Sequence, residues 1–146
     1  FIKKLFNLLN KEIKILLTLF LFSCSNNSVK SEDISPEKIF CGASTNQSVD
    51  KNVNFISKKS KNFENILASI DKDLNKDSFN LLVFSGSKPS SGHKLKLNNI
   101  KKKNSTYYLN FINIKPLQGS TNLAVITYPY CVLKVENLNK FKITIN

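Results

Sequence analysis

Residues 79–100, FNLLVFSGSKPSSGHKLKLNNI, hold two apolar runs separated by a loop with two glycines and a proline. The flanks FNLLVFS and HKLKLNNI are short and bounded by Gly, Pro and Ser, so both read as β-strands. In the second, Lys and Leu alternate as on a strand with one face buried. GSKPSSGH carries far more punctuation than a simple connection needs. Gly86 is free to take positive φ, Pro89 fixes its own φ and keeps Lys88 extended, and Gly92 permits a second tight turn. The expectation is a stiff, exposed projection with little entropy left to lose, a preorganisation that raises affinity for a protein partner. The alternative is a hairpin whose backbone angles demand these residues and nothing more.

Outward from this segment the chain keeps the same character. KIFCG, VNFIS, TYYLNFINI, NLAVITY, YCVLKVE and FKITI are further strand candidates, and in the last Phe141, Ile143 and Ile145 share one face. KKKNST between two of them reads as an exposed hairpin turn. One stretch departs from this pattern. In SKNFENILASIDKDL, Phe63, Ile66, Leu67, Ile70 and Leu74 form a helical stripe, with Ser60 able to cap its start and the acids after Ile70 ending it. The fold class is therefore mainly β: an antiparallel β-sandwich-like domain with one amphipathic helix at about residues 60–70. Tyr128-Pro129 is a candidate for a cis bond, its aromatic neighbours read as packing.

The first thirty residues read differently. A leader with Lys3, Lys4, Lys11 and Lys14 precedes ILLTLFLFS, an uncharged run from Ile15 to Ser23. Nine residues are too few to span a bilayer, which takes about twenty, but they suit the core of a signal peptide. The ending LFSC resembles a bacterial lipobox, with Leu21 three before the Cys and Ser23 immediately before it. That resemblance implies cleavage after residue 23 and acylation of Cys24, whose palmitate-type chains hold the protein on a membrane. Ser25, not Asp, follows it, so in a Gram-negative cell the outer membrane is the expected destination. SNNSVKSEDISP then reads as a flexible tether, giving a signal peptide at 1–23, a tether at 24–36 and one folded domain at 37–146. Cys41 and Cys131 remain, an even pair that in an exported chain fits either one disulfide or two buried thiols.

All 22 basic residues are Lys, a bias also expected of an AT-rich genome. Removing residues 1–23 leaves 18 Lys against nine acids. No Arg fork or interleaved aromatic stacking accompanies the charge, and an exported protein rarely meets nucleic acid, so no nucleic-acid partner is expected. The charge reads as solubility and attraction to anionic headgroups or polymers. Catalytic patterns are sparse. His93 is the single histidine, FSGS lacks the second Gly of a nucleophile elbow, and Asp71, Asp73 and Asp77 lack the Gly and terminal Glu of a calcium loop. No catalytic residue, cofactor or metal site is expected.

Gly86-x-Lys88-Pro89-Ser90-Ser91-Gly92-His93, directly after an apolar strand, resembles the G-x-(R/K)-P-(T/S)-x-G-aromatic signature of the PrcB-type C-terminal domain family. Gly119, then NLAVIT, then Thr127-x-Pro129-Tyr130-Cys131-Val132 resembles that family's second segment, and Asp77-x-Phe79 after the helix also fits. The likeness covers about residues 50–146, with His93 where Tyr or Phe is usual and Ser91 in place of a Gly. It implies a bacterial, often lipid-anchored protein linked to assembly or stability of a surface protease complex. The loop is also similar, over a few residues, to the NPTTGY loop of chagasin-type protease inhibitors.

The resulting expectation is a membrane-anchored lipoprotein of the cell envelope whose non-catalytic domain binds a protein, an envelope protease or its complex. Gly86, Lys88, Pro89, Ser90, Gly92 and His93 form the contact loop, supported by Pro129 and Tyr130. The alternatives are a chagasin-like inhibitor and a basic envelope structural protein. The latter would hold anionic polysaccharide or lipid on Lys58, Lys59, Lys61 and the Lys101–Lys103 run.

Overall fold

The apolar runs form two four-stranded sheets in a computed structural model that describes residues 30–45 and 55–146. The strands are β1 Glu32–Ile34, β2 Lys38–Ser44, β3 Phe55–Ser57, β4 Leu81–Phe84, β5 Lys94–Lys103, β6 Thr106–Ile114, β7 Tyr128–Lys134 and β8 Lys140–Ile145. A helix, α1 Phe63–Ile70, and a 3-10 turn, Lys76–Ser78, lie between β3 and β4. One sheet has the order β1-β5-β6-β8 and the other β2-β7-β4-β3. All neighbours are antiparallel except β6 and β8, which run parallel. The mainly β, sandwich-like class with one helix is thus borne out.

Two strands organise the interior. On β4 and β7, Leu81, Val83, Cys131 and Leu133 face the other sheet and meet Leu95, Ile100, Leu109 and Phe111. The residues between them, Leu82, Phe84, Tyr130 and Val132, face the opposite way and pack against Phe63 and Leu67 of α1, with Ile56 and Phe79. Both faces are dry, which explains why LLVF carries no polar alternation. α1 therefore covers the outer face of one sheet only. Complete burial of a side chain such as Leu82 contributes about 2 kcal/mol.

Polar groups complete the frame. Asn80, just ahead of β4, donates its backbone N–H to Leu133 O (2.9 Å) and its side-chain Nδ2 to Val135 O (2.7 Å). Its Oδ1 accepts from Val135 N (3.1 Å), so this side chain continues the ladder where the strand has ended. At the β5–β6 turn Asn104 takes φ 56, a left-handed conformation that Asn tolerates. Cys41 and Cys131 are directly paired across β2 and β7, Cα atoms 4.1 Å apart, and are joined by a disulfide.

Four expectations change. NLAVITY is not a strand before Tyr128, because β2 ends opposite that residue at Ser44 and regular pairing with β4 ends at Phe84–Tyr130. Among the described residues, 121–126 thus have no strand on either side to pair with. The stretch read as a tether contains β1, where Glu32 and Asp33 stand opposite Lys102 and Lys101 and Ile34 packs against the core. Opposite charges directly across an antiparallel pair favour that pairing. Ser60 gives α1 its backbone carbonyl, which accepts from Phe63 N (3.1 Å), while Asn62 holds the N-cap position with no side-chain cap. Peptide bonds among the described residues are trans, Tyr128-Pro129 included. The signal peptide and Cys24 lie outside the described residues.

The disulfide joins cysteines 90 positions apart, which on chain-entropy grounds is worth about 4.6 kcal/mol. Cys41→Ala should accordingly lower the urea-unfolding free energy by about 4 kcal/mol, and dithiothreitol should lower the wild type to the same value while leaving the variant unchanged.

Candidate functional site: two braced loops

Residues 85–93 leave the sandwich at one end of the strands and are held along their length by a second loop, residues 115–127. Bracing begins at the root. Ser85 N donates to Pro129 O (3.0 Å), but Pro129 has no N–H to return, so the ladder stops and the chain departs at Gly86, φ 78. Two residues on, Lys88 and Thr127 exchange both backbone hydrogen bonds, 2.8 and 2.9 Å. Thr127 Oγ1 donates to Ser90 O (2.9 Å), Ser91 N donates to Leu123 O (3.1 Å), and Leu123 N donates to Ser91 Oγ (3.0 Å). Ser90 Oγ and His93 Nδ1 lie 3.1 Å apart across three residues and clasp the turn from inside.

Gly86 and Gly92 serve different needs. Gly86 supplies a left-handed backbone angle in open space. Gly92 is required for room instead of for a turn: a Cβ there would stand 2.6 Å from Pro116 Cβ and closer still to the Asn122 side chain. Its missing side chain is where the second loop presses on the first. That loop has its own internal bonds, with Ser120 Oγ donating to Leu117 O and Asn122 Nδ2 donating to Ser120 Oγ, each 2.6 Å.

Pro89 is exposed at the tip, while Lys88, Ser90 and His93 are half-buried. His93 faces a cleft of about 230 Å³ that it shares with Cys41, Gly42, Ser91 and Lys94. Pro129 is buried at the loop's root. Tyr130 is not beside the loop; it belongs to the cluster under α1, tilted against Phe40 at 6.3 Å. Burial, and secondarily the charge of Asp71, pushes its phenol above the usual tyrosine value. The acids after the helix are used locally: Asp71 accepts from Asp73 N, and Asp77 forms an ion pair with Lys58 at 3.3 Å.

The second loop is what sequence reasoning missed. NLAVIT carries a strand-like pattern, yet it presents its aliphatic side chains to solvent: Leu123 is 71 % and Ile126 59 % exposed, beside Leu117 at 83 %. Side chains this apolar on a hydrogen-bonded scaffold make a surface that gains by being covered. No acid falls between Asp77 and Glu136, so neither loop carries a carboxylate.

Residues 81–136 match the family model described as PrcB C-terminal, in accord with the resemblance noted in the sequence. The match is narrower than residues 50–146 and runs from β4, through both loops, to the end of β7 and just beyond. No curated protein and no solved structure matches the chain.

The two glycines predict distinct outcomes. Gly92→Ala should cost about 2 kcal/mol by overpacking and speed amide exchange at Ser91 and Leu123, whose hydrogen bonds tie the loops. Gly86→Ala should cost about 1 kcal/mol through its backbone angle and leave exchange at those two amides unchanged.

Proposed function

We propose that this protein is an exported, lipid-anchored, non-catalytic module that docks through its two braced loops onto a protein partner, an envelope protease complex. The carrying observation is the exposed aliphatic set Leu117, Leu123 and Ile126 on a loop fixed by hydrogen bonds to residues 88–91. Ordering has already been met within the fold, so a partner gains apolar burial without immobilising two loops. The family match over the same segment supports a protease-complex partner.

In this reading Pro89 forms the rigid tip, Gly86 and Gly92 set the loop's path, and the Ser90–His93 pair holds its shape. Lys88 adds a cation at the rim, and Pro129 ends the ladder so that the loop can leave. The lipobox at Cys24 supports attachment to the envelope membrane, outer in a Gram-negative cell.

The test is affinity recovery from solubilised membranes with the wild-type chain and a Leu117→Ser, Leu123→Ser, Ile126→Ser variant. All three side chains are exposed, so thermal unfolding should be unaltered. Recovered peptidase activity should drop at least tenfold with the variant; equal recovery from two folded proteins would count against the loops as the docking surface. Assaying the recovered protease with and without the wild-type chain separates support of the complex from chagasin-like inhibition.

A further inference from the structure

The outer face of the sheet β1-β5-β6-β8 has no helix or strand laid over it among the described residues. Leu95, Ile100, Leu109 and Phe111 of this sheet point into the core, with Phe141 and Ile143 packed beside them, so the residues alternating with them point outward. On β5 and β8 these outward positions include Lys94, Lys96, Lys101, Lys103, Lys140 and Lys142, all exposed, beside Asn98 and Thr144. The register sets four of them into two transverse rows. Lys101, Tyr108 and Lys142 stand side by side across three strands, as do Lys103, Thr106 and Lys140. Strand spacing puts the lysines of each row about 10 Å apart and the two rows about 7 Å apart.

Little on the protein offsets this charge. Asp33, opposite Lys101, is the acid on this face, and among the described residues none of the six lysines forms an ion pair. By contrast, Lys58 is paired with Asp77 and Lys59 donates to Asn139, while Lys102 stands opposite the core residue Tyr107. The lysine run in the sequence therefore overstated some cations and hid others: Lys102 turns away, whereas β8, nearly forty residues later, contributes two.

We infer that this face rests on an anionic lipid surface. Within the first row, between Lys101 and Lys142, stands Tyr108, under the Lys142 ammonium at 5.8 Å, and Ile114 lies exposed at the loop end of the same strand. Cations combined with a half-buried tyrosine and an exposed aliphatic suit the headgroup boundary better than a fully aqueous polyanion. Chain length points the same way. β1 is the edge strand of this sheet, and six residues from Cys24 to Lys30 reach about 20 Å. The inference rests, for that proximity, on the proposed anchor at Cys24.

Amine-reactive footprinting tests it on the full chain reconstituted in phosphatidylcholine vesicles with or without about one-third phosphatidylglycerol, an anionic lipid whose surface potential attracts clustered lysines. Lys101, Lys103, Lys140 and Lys142 should label about fivefold more slowly on the anionic vesicles and recover in high salt, while Lys72 and Lys76, on the α1 side, stay constant. Replacing the four by Gln should abolish any difference in labelling of Lys94 and Lys96 between vesicle types. Equal labelling of wild type on both vesicles overturns the inference, as does equal protection by soluble polyphosphate, which would assign the face to a polymer. Intact mass of the membrane-extracted chain reads acylation of Cys24 separately, so a failed anchor is distinguishable from a failed face.

Discussion

Everything in this molecule leans on the burial of β4 and β7 from both sides. A strand in a two-layer sandwich ordinarily has one wet face, and its sequence alternates accordingly. Here α1 closes the second face, so Leu81 and Val83 serve one core and Leu82 and Phe84 another. The eight-residue helix would be marginal alone, since isolated helices of that length are barely stable in water. Phe63 and Leu67 hold it by burial against the sheet. Removing either partner would leave the other with an apolar face in solvent.

The same strand pair determines where the loops are. β4 and β7 diverge where Pro129 fails to return a hydrogen bond to Ser85, and the two chains leaving that point remain neighbours. Lys88 and Thr127 re-form one rung further out, and two side-chain oxygens continue the connection, Thr127 Oγ1 donating to Ser90 O and Ser91 Oγ accepting from Leu123 N. The loops are thus a frayed but still stitched extension of the central ladder, which accounts for aliphatic side chains held in water by a backbone that does not collapse over them.

Sequence made most of this legible where the signal was local. The stripe Phe63, Ile66, Leu67, Ile70 gave the helix with its C-terminal boundary, and the alternation in β5, β6 and β8 gave both the strands and their buried faces. Gly86 and Pro89 marked the loop because their backbone preferences are intrinsic. Non-local features were not readable in the same way. β1 is three residues, two of them acidic, and its pairing joins those acids to Lys101 and Lys102 opposite while Ile34 packs on the core. NLAVIT has the composition of a strand, but strands need neighbours, and among the described residues both neighbours stop short of it. The role of Gly92 depends on Pro116 and Asn122, more than twenty positions away, and no turn rule could announce it.

One further consequence belongs to the Cys41–Cys131 bond. Suppose the N-terminal side of the domain is pulled while the loops are held, as would happen to any tethered protein gripping a neighbour. β1, with three paired residues, peels away first, and the first half of β2 follows residue by residue. Unravelling then meets Cys41, covalently fastened to the middle of β7, and halts there. The bond acts as a mechanical stop, so tension reaching this chain is spent on its edge strands before it can disturb the central strands from which both loops spring.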